Sequence, residues 1–185
     1  MRAIAARLCV AAGLWLLACG AAAAERVEKR YFLPGQGAFV LSLPAGWMDE
    51  LRPNGSRPPT IFLSTAKGRE PQLKLVPVWR ARPDIPPFSR QAVAAALAKE
   101  ALLVREKALE KEIRLVEFQG SAGAGWYFDV TDKAPAPGEY KYLRRGSLIV
   151  GELLLDFAIL SNGRDEPVMR EAMRILGDAA HLPKK

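Results

Sequence analysis

Residues 125–160 carry the clearest hydrophobic pattern in the chain. The stretch is rich in aromatic and branched side chains and is divided by Pro/Gly turns, which is typical of successive β-strands. We predict strands over residues 126–131, 139–148 and 152–160. One face of the third strand is Leu153, Leu155, Phe157 and Ile159, and the other is Leu154, Asp156, Ala158 and Leu160. Because both faces are apolar or nearly so, the sheet is expected to be covered on both sides.

The hairpin between the second and third strands decides which side chains face each other. A tight turn at Val150-Gly151 would place Arg145 opposite Asp156. Gly146 is a candidate β-bulge, and a bulge there would shift the register beyond it.

Two segments with helical spacing flank the central strands. Ser89 is a suitable N-cap for the first, and Pro167 suits the first turn of the second. Their apolar stripes are Val93, Leu97, Ala101, Val104 and Ala108 in the first and Val168, Ala172, Ile175 and Leu176 in the second. Earlier strands are predicted at 37–43, 60–65 and 72–79. Pro77 indicates that the last of them lies at a sheet edge or that Pro77 is near the end of the strand.

These elements predict an α/β (α+β) fold class. The expected architecture is a three-layer α/β/α sandwich, in which a mostly antiparallel sheet is flanked by two main helices. Residues 37–183 would form a single domain, and the charged residues 25–36 a mobile lead-in. A chain of this size can bury one hydrophobic core.

Residues 1–24 have the pattern of a secretory signal peptide. Two arginines precede an apolar run at residues 8–18, and a run of alanines that ends at residue 24 precedes an acidic residue. The apolar run is shorter than the about 20 residues of a membrane-spanning helix. We therefore expect cleavage between Ala24 and Glu25, which would make the protein periplasmic or secreted.

Cys19 gives the same stretch a second interpretation. It ends a Leu-Leu-Ala-Cys sequence that resembles a bacterial lipobox, in which the cysteine becomes the lipidated first residue of a membrane-anchored lipoprotein. Cys9 also lies in the leader, so cleavage after Ala24 would leave a chain without cysteine. Disulfides, thiol catalysis and cysteine-bound metals are not expected in that form.

The charge of the chain is basic but scattered. The formal net charge of +7 falls by two, to +5, when the two arginines of the leader are removed. This favours weak attraction to an anionic membrane surface. Nucleic acid is not an expected partner, because the cations form no stripe and no nucleic-acid-binding motif is present.

Several phrases of the sequence resemble one family. Residues 39–47, Phe-Val-Leu-Ser-Leu-Pro-Ala-Gly-Trp, are similar to the opening of bacterial PsbP/DcrB-like proteins. The Gly-Trp-Tyr-Phe-Asp run at 125–129, followed by Tyr140, Tyr142 and the Gly151 hairpin, resembles the strands after that family's long helix. The resemblance covers residues 39–182 and implies the sandwich fold. It also implies binding more often than catalysis, with no shared catalytic residue to carry over.

Few residues suit catalysis or cofactor binding. His181 is the one histidine, and we expect it on the surface of a frayed C-terminus that cannot hold a catalytic imidazole. The glycines of residues 120–125 lie between two predicted strands, so they lack the helix N-terminus of a phosphate loop. No cofactor is therefore expected.

Carboxylates near the first strand of the central stretch form one candidate site. Asp129 and Asp132 end this strand, and Glu139 follows across the loop. Together they suit Ca²⁺ or acid–base chemistry. Lys133 and Lys141 are close enough in sequence to neutralise them, so ordinary loop solvation is the favoured interpretation.

The second candidate site comprises Trp126, Arg145 and Asp156, which the predicted register places on one face. They would form either an ion pair with the arginine stacked on the indole, or a polar patch in an apolar groove that receives a ligand or peptide. The favoured function is a non-catalytic exported binding or accessory protein, monomeric or a small oligomer. Its expected partner is another exported or membrane protein. The alternative is a cofactor-independent, carboxylate-based hydrolase that acts on envelope glycan.

The leader generates the first testable prediction. Mass spectrometry of the exported protein should find an N-terminus at Glu25, because the alanine-rich boundary suits signal peptidase. An acylated N-terminus at Cys19 would establish the lipoprotein alternative instead. An intact Met1 would contradict both.

Overall fold

The computed structural model describes residues 25–55, 57–65, 71–82, 84–163 and 167–184. The lipidation and cleavage expectations at Cys19 and Ala24 lie outside these residues. Within them, no helix is long and apolar enough to cross a membrane.

Ten strands and two helices make up the described chain. The first five strands are β1 (Arg26–Leu33), β2 (Gly37–Pro44), β3 (Trp47–Asn54), β4 (Arg57–Thr65) and β5 (Gln72–Val78). Helix α1 (Arg90–Val104) follows, with a 3-10 turn at Arg105–Lys107. The rest are β6 (Val116–Gly120), β7 (Gly123–Thr131), β8 (Tyr142–Val150), β9 (Leu153–Ser161), α2 (Pro167–Gly177) and β10 (Ala180–Leu182). The predicted central strands correspond to β7, β8 and β9.

The strands form two antiparallel sheets. The large sheet has seven strands in the order β3-β4-β5-β9-β8-β7-β6, and the small sheet has three in the order β1-β2-β10. The chain passes from the small sheet to the large one at Ala45-Gly46, between β2 and β3.

One face of the large sheet packs against the small sheet and α2. Fully buried side chains of β4, β5 and β9 meet the inner side chains of β2 and the apolar stripe of α2 there. The largest fully buried side chains of this core include Phe39, Leu41, Leu43, Ile61, Leu63, Leu73, Leu75 and Phe157. Burial of this apolar area is the main stabilising contribution to the fold.

The opposite face of the large sheet carries α1. Val93, Leu97 and Ala101 of the predicted stripe are buried against β7, where Trp126 and Phe128 complete a second core. Ser89 caps the helix, as the sequence predicts, because its hydroxyl accepts a 3.2 Å hydrogen bond from the amide of Ala92.

The predicted architecture is correct in part. A helix lies on each face of the large sheet, but one face is covered mainly by a second sheet, so a simple α/β/α sandwich does not describe the fold. The expected mobile lead-in is wrong for residues 26–33, which pair with β2 over their whole length. Three consecutive charged residues at 28–30 hide the strand pattern in the sequence. Tyr31 and Leu33 are nevertheless buried in the core, and Lys29 on the same face pairs with Asp49.

The predicted hairpin register is wrong by two residues. The turn is at Gly151-Glu152, so Arg145 lies opposite Ala158 and Asp156 opposite Ser147. Because side chains alternate with period two, this shift leaves Arg145 and Asp156 on the same face.

Gly146 is part of a regular ladder and not a bulge. It lies opposite Phe157, whose ring covers it. A Cβ at Gly146 would come within 2.5 Å of the Trp126 carbonyl oxygen and would collide with the Phe157 ring. The glycine is therefore needed for the close approach of the ring to the backbone.

Pro77 lies inside the large sheet and pairs with Leu155. Its strand β5 pairs with β4 only at Leu73–Leu75, so no residue of β4 is paired with Pro77. Proline has no amide hydrogen, and at this position none is needed for a hydrogen bond to β4.

His181 does not lie on a frayed terminus. It belongs to β10 and pairs with Phe39 of β2. One ring nitrogen lies 2.7 Å from the Gln36 carbonyl oxygen, and the other accepts a 3.4 Å hydrogen bond from the Glu152 amide. The imidazole therefore holds two turns together, which gives it a structural role.

The central core generates a stability prediction. Phe157→Ala should lower the free energy of unfolding by about 3–5 kcal/mol, since it removes a fully buried ring and leaves a cavity over Gly146. Phe32→Ala is the matched control: Phe32 is 81% exposed, so its loss should cost at most about 0.5 kcal/mol. Denaturant melts measure both, and equal costs would contradict the described packing.

Candidate binding face

Much of the large sheet is left open on the side that carries α1. The helix packs mainly against β7 and β8, and Leu154 of β9 contacts the same core. Beyond it, the outward side chains of β9, β5 and β4 are partly or fully exposed; they include Leu160, Ala158, Lys74, Val76 and Phe62. We call this uncovered surface the open face.

One row of paired residues crosses the open face. Starting under α1, it is Phe128, Arg145, Ala158, Lys74 and Phe62. The small side chain of Ala158 lies between two long cationic ones, so a depression of about 280 Å³ forms above it. Lys74, Val76, Leu143, Arg145 and Asp156 line its walls.

Arg145 is fixed in place by the helix and by β9. Its Nε donates a 3.0 Å hydrogen bond to Oε2 of Glu100 on α1, and its Nη1 donates a 3.1 Å bond to the Phe157 carbonyl. The distance from its Nη2 to Oδ2 of Asp156 is 3.8 Å, so the predicted ion pair is the weaker contact.

Asp156 is the most perturbed carboxyl group of the face. The Ser147 hydroxyl donates a 2.7 Å hydrogen bond to its Oδ1. Burial raises the pKa of Asp156, and this effect outweighs the Ser147 hydrogen bond and the charge of Arg145, which lower the pKa; Glu100 raises it further. Asp156 therefore carries its negative charge at an energetic cost.

Trp126 lies on the same side of the sheet but is not part of the depression. It is 7% exposed and belongs to the core under α1. The arginine over its ring is Arg90, 5.7 Å from the ring centre, and not Arg145. Arg90 also forms an ion pair with Glu117 on the edge strand β6. The predicted stacking of an arginine on the indole is thus present with a different arginine.

The three loop carboxylates have separate partners. Arg144 binds Asp129 with two hydrogen bonds of 2.7 and 2.8 Å, while Asp132 accepts from the Ala134 amide and Glu139 from the Ala136 amide. In the part of the chain that the structure describes, no three metal-ligating side chains form a group. The structure does not bring these carboxylates together as a site.

A second depression continues the open face along the edge of α1. Its volume is about 190 Å³, and Leu143 lines both depressions. Its other lining residues include Val104, Lys107, Tyr140, Lys141 and Leu160. The two depressions adjoin at Leu143. Both have apolar walls, and both are lined by cations together with one carboxylate, Asp132 in the second and Asp156 in the first.

Sequence reasoning missed Lys74 and Ala158. Lys74 is the one charged residue of β5, and that strand's place beside β9 could not be read from its own pattern. Sequence reasoning also missed an apolar groove of about 410 Å³ at the tips of the first two hairpins, lined by Phe32, Leu51 and Trp79 among others. Exposed aromatic residues in charged strands were the available signal.

Comparison with known proteins gives similarity of fold only. No protein-family model and no curated protein matches the chain. Cyanobacterial PsbP (CyanoP) from Synechocystis sp. PCC 6803 is similar in structure, with 12% identity and a TM-score of 0.49, over 90% of this chain and 99% of that one. A protein from Bacteroides thetaiotaomicron VPI-5482 is similar with 13% identity and a TM-score of 0.49, over 84% of this chain. This chain spans 49% of that protein's length. At this identity no ligand or activity is carried over.

The raised pKa of Asp156 generates a pH-dependent prediction. The folded protein binds the Asp156 proton more tightly than the unfolded chain, so this group's contribution to stability rises as the pH falls through the folded pKa. Asp156→Asn removes that dependence. Relative to the variant, the wild type should gain stability between neutral pH and about pH 4.

The loss of stability at neutral pH when each carboxylate is replaced distinguishes the two arginine–carboxylate contacts. Asp156→Asn should cost about 1 kcal/mol or less, since the contact with Arg145 is long and partly exposed. Asp129→Asn, the matched control, should cost about 1–3 kcal/mol because it disrupts a pair of hydrogen bonds to Arg144. Urea melts across the pH range measure both. A cost above about 3 kcal/mol for Asp156→Asn would mean a buried pair.

Proposed function

We propose that the chain is a non-catalytic, exported cell-envelope binding or accessory protein, of a PsbP/DcrB-like kind. The observation that carries the proposal is the open face, with its depression over Ala158 between Arg145 and Lys74. A sheet face that is apolar, partly exposed and indented is a surface to which another molecule can bind.

The chemistry of the depression indicates what would fit there. Its walls at Val76 and Leu143 accept a short apolar side chain. The ammonium group of Lys74 is exposed and makes no ion pair within the described ranges, so it can receive a carboxylate. An extended segment of another exported or membrane protein, with an apolar and an acidic residue, meets both requirements.

Binding is preferred to glycan hydrolysis because the carboxylates near the depression are already engaged. Oδ1 of Asp156 accepts from Ser147, and Glu100 accepts from Arg145. A glycosidase needs one carboxylic acid and one carboxylate that both face the substrate.

The leader predicted at residues 1–24 supports a partner in the cell envelope. After processing at Glu25 the protein would be periplasmic or secreted, and after lipidation at Cys19 it would be anchored to the membrane. Both forms present the open face to other envelope proteins.

Site-specific photocrosslinking tests the proposal. A photoreactive residue at position 158 of the exported protein should form discrete adducts in living cells, and Lys74→Glu should weaken them through repulsion of an acidic segment. Position 114 is the control, because Arg114 is 79% exposed on a connecting segment outside the face. Absence of adducts at 158, or equal adducts at 114, would contradict the proposal.

A cleavage assay tests the hydrolase alternative directly. The purified exported protein should release no soluble fragments from envelope glycan. Release that Asp156→Asn abolishes, with the fold intact by circular dichroism, would establish the hydrolase and overturn the non-catalytic proposal.

A further inference from the structure

The outer face of α1 is apolar although it faces solvent. Leu102 and Leu103 are 62% and 81% exposed, and Leu109, just beyond the helix, is 57% exposed. The inner face with Val93, Leu97 and Ala101 already supplies the contacts with the sheet. The exposed leucines therefore contribute little to the core, and a cluster of this kind ordinarily marks a contact surface.

Cationic side chains surround these leucines. Lys99, Arg105, Lys107 and Lys111 are all exposed along the end of the helix and the segment after it. Lys133 joins them from the neighbouring loop, where its Nζ donates a 2.8 Å hydrogen bond to the Glu106 carbonyl.

Most acidic side chains of the same segment are turned to other partners. Glu100 accepts from Arg145, and Glu110 accepts 2.8 Å hydrogen bonds from the amide and hydroxyl of Thr131. Glu112 pairs with Arg114. Glu106 and Glu112 remain exposed, but the exposed cations outnumber them, so the charge that accompanies the leucines is positive on balance.

We propose that this surface docks on an anionic phospholipid bilayer. It is defined as Lys99, Leu102, Leu103, Arg105, Lys107, Leu109 and Lys111, and we call it the α1 outer surface. Leucines enter the boundary between headgroups and acyl chains, while lysine and arginine side chains reach the lipid phosphates. A second copy of the chain fits less well, because two like-charged surfaces would repel each other. The inference goes beyond the proposed function, since it concerns a different partner and, apart from Lys107 at the shared edge of α1, a different surface.

A fluorescent probe tests which surface meets the lipid. The processed, exported protein carries an NBD group on Leu103→Cys or, as the matched control, on Phe32→Cys; both side chains are 81% exposed in the wild type. With phosphatidylglycerol vesicles, position 103 should show a blue shift and a rise in intensity, and position 32 should not. Neutral phosphatidylcholine vesicles should give neither signal. Because the probe reports local burial, the test holds for the lipidated form too.

Paired substitutions test the two components of the contact. Leu102→Ser with Leu103→Ser, and separately Arg105→Gln with Lys111→Gln, should each weaken binding to phosphatidylglycerol vesicles about tenfold, and added salt should weaken it further. Arg30→Gln with Arg82→Gln removes two exposed cations elsewhere and should change binding less than about twofold. Thermal melts establish that each variant is folded.

Three results would overturn the proposal. The first is equal binding to neutral and anionic vesicles, and the second is a probe signal at position 32 without one at position 103. The third is dimerisation that the leucine variant abolishes, without vesicle binding, which would assign the α1 outer surface to a second copy of the chain.

Discussion

The contact between Phe157 and Gly146 is the constraint on which the rest of the structure depends. The fully buried ring lies on the glycine and meets the edge of Phe118 at 6.0 Å, so β6, β8 and β9 are held at fixed distances. Since side chains alternate, this contact also fixes which residues face the small sheet and which face α1. Arg145 and Asp156 can therefore lie only on the α1 side, where solvent is within reach.

The open face follows from simple dimensions. A helix with its side chains is about 10 Å wide, and neighbouring strands are about 4.8 Å apart, so one helix covers only two or three strands. The large sheet has seven strands, and α1 lies over β7 and β8. The other face is covered more fully, because a second sheet helps α2 to cover it, and it is open mainly at the hairpin tips beside Leu51. Tyr31 of the small sheet joins the two sheets by donating a 3.0 Å hydrogen bond to Asp49 of the large sheet. Burial raises the pKa of Tyr31.

The sequence predicts the elements that have a strong local pattern. It does not predict the strands whose pairing partners are distant along the chain. The strands of residues 125–160 show the alternation of a β-strand in their own sequence. The Ser89 cap depends on one hydroxyl at the start of the helix. Both could therefore be predicted from the sequence. Strands β1, β3 and β10 are charged or short, and their pairing partners, not their own patterns, make them strands. Lys74 belongs to the candidate site only because β5 pairs with β9, a contact between strands far apart in sequence.

In helix α1, the stripe of buried residues explains how the helix packs on the sheet but not the residues on its exposed side. The inner residues Val93, Leu97 and Ala101 suffice to dock it, and polar residues on its outer side would be the ordinary complement. Leu102 and Leu103 stand there instead, and exposure of two leucines lowers solubility without adding to the core. Their neighbours Glu100 and Glu110 turn their carboxylates towards Arg145 and Thr131, so the exposed cations outnumber the exposed carboxylates of Glu106 and Glu112. The same hydrogen bonds that position Arg145 beside the open face thus give the outer side of α1 its basic character. The two surfaces are joined through one glutamate.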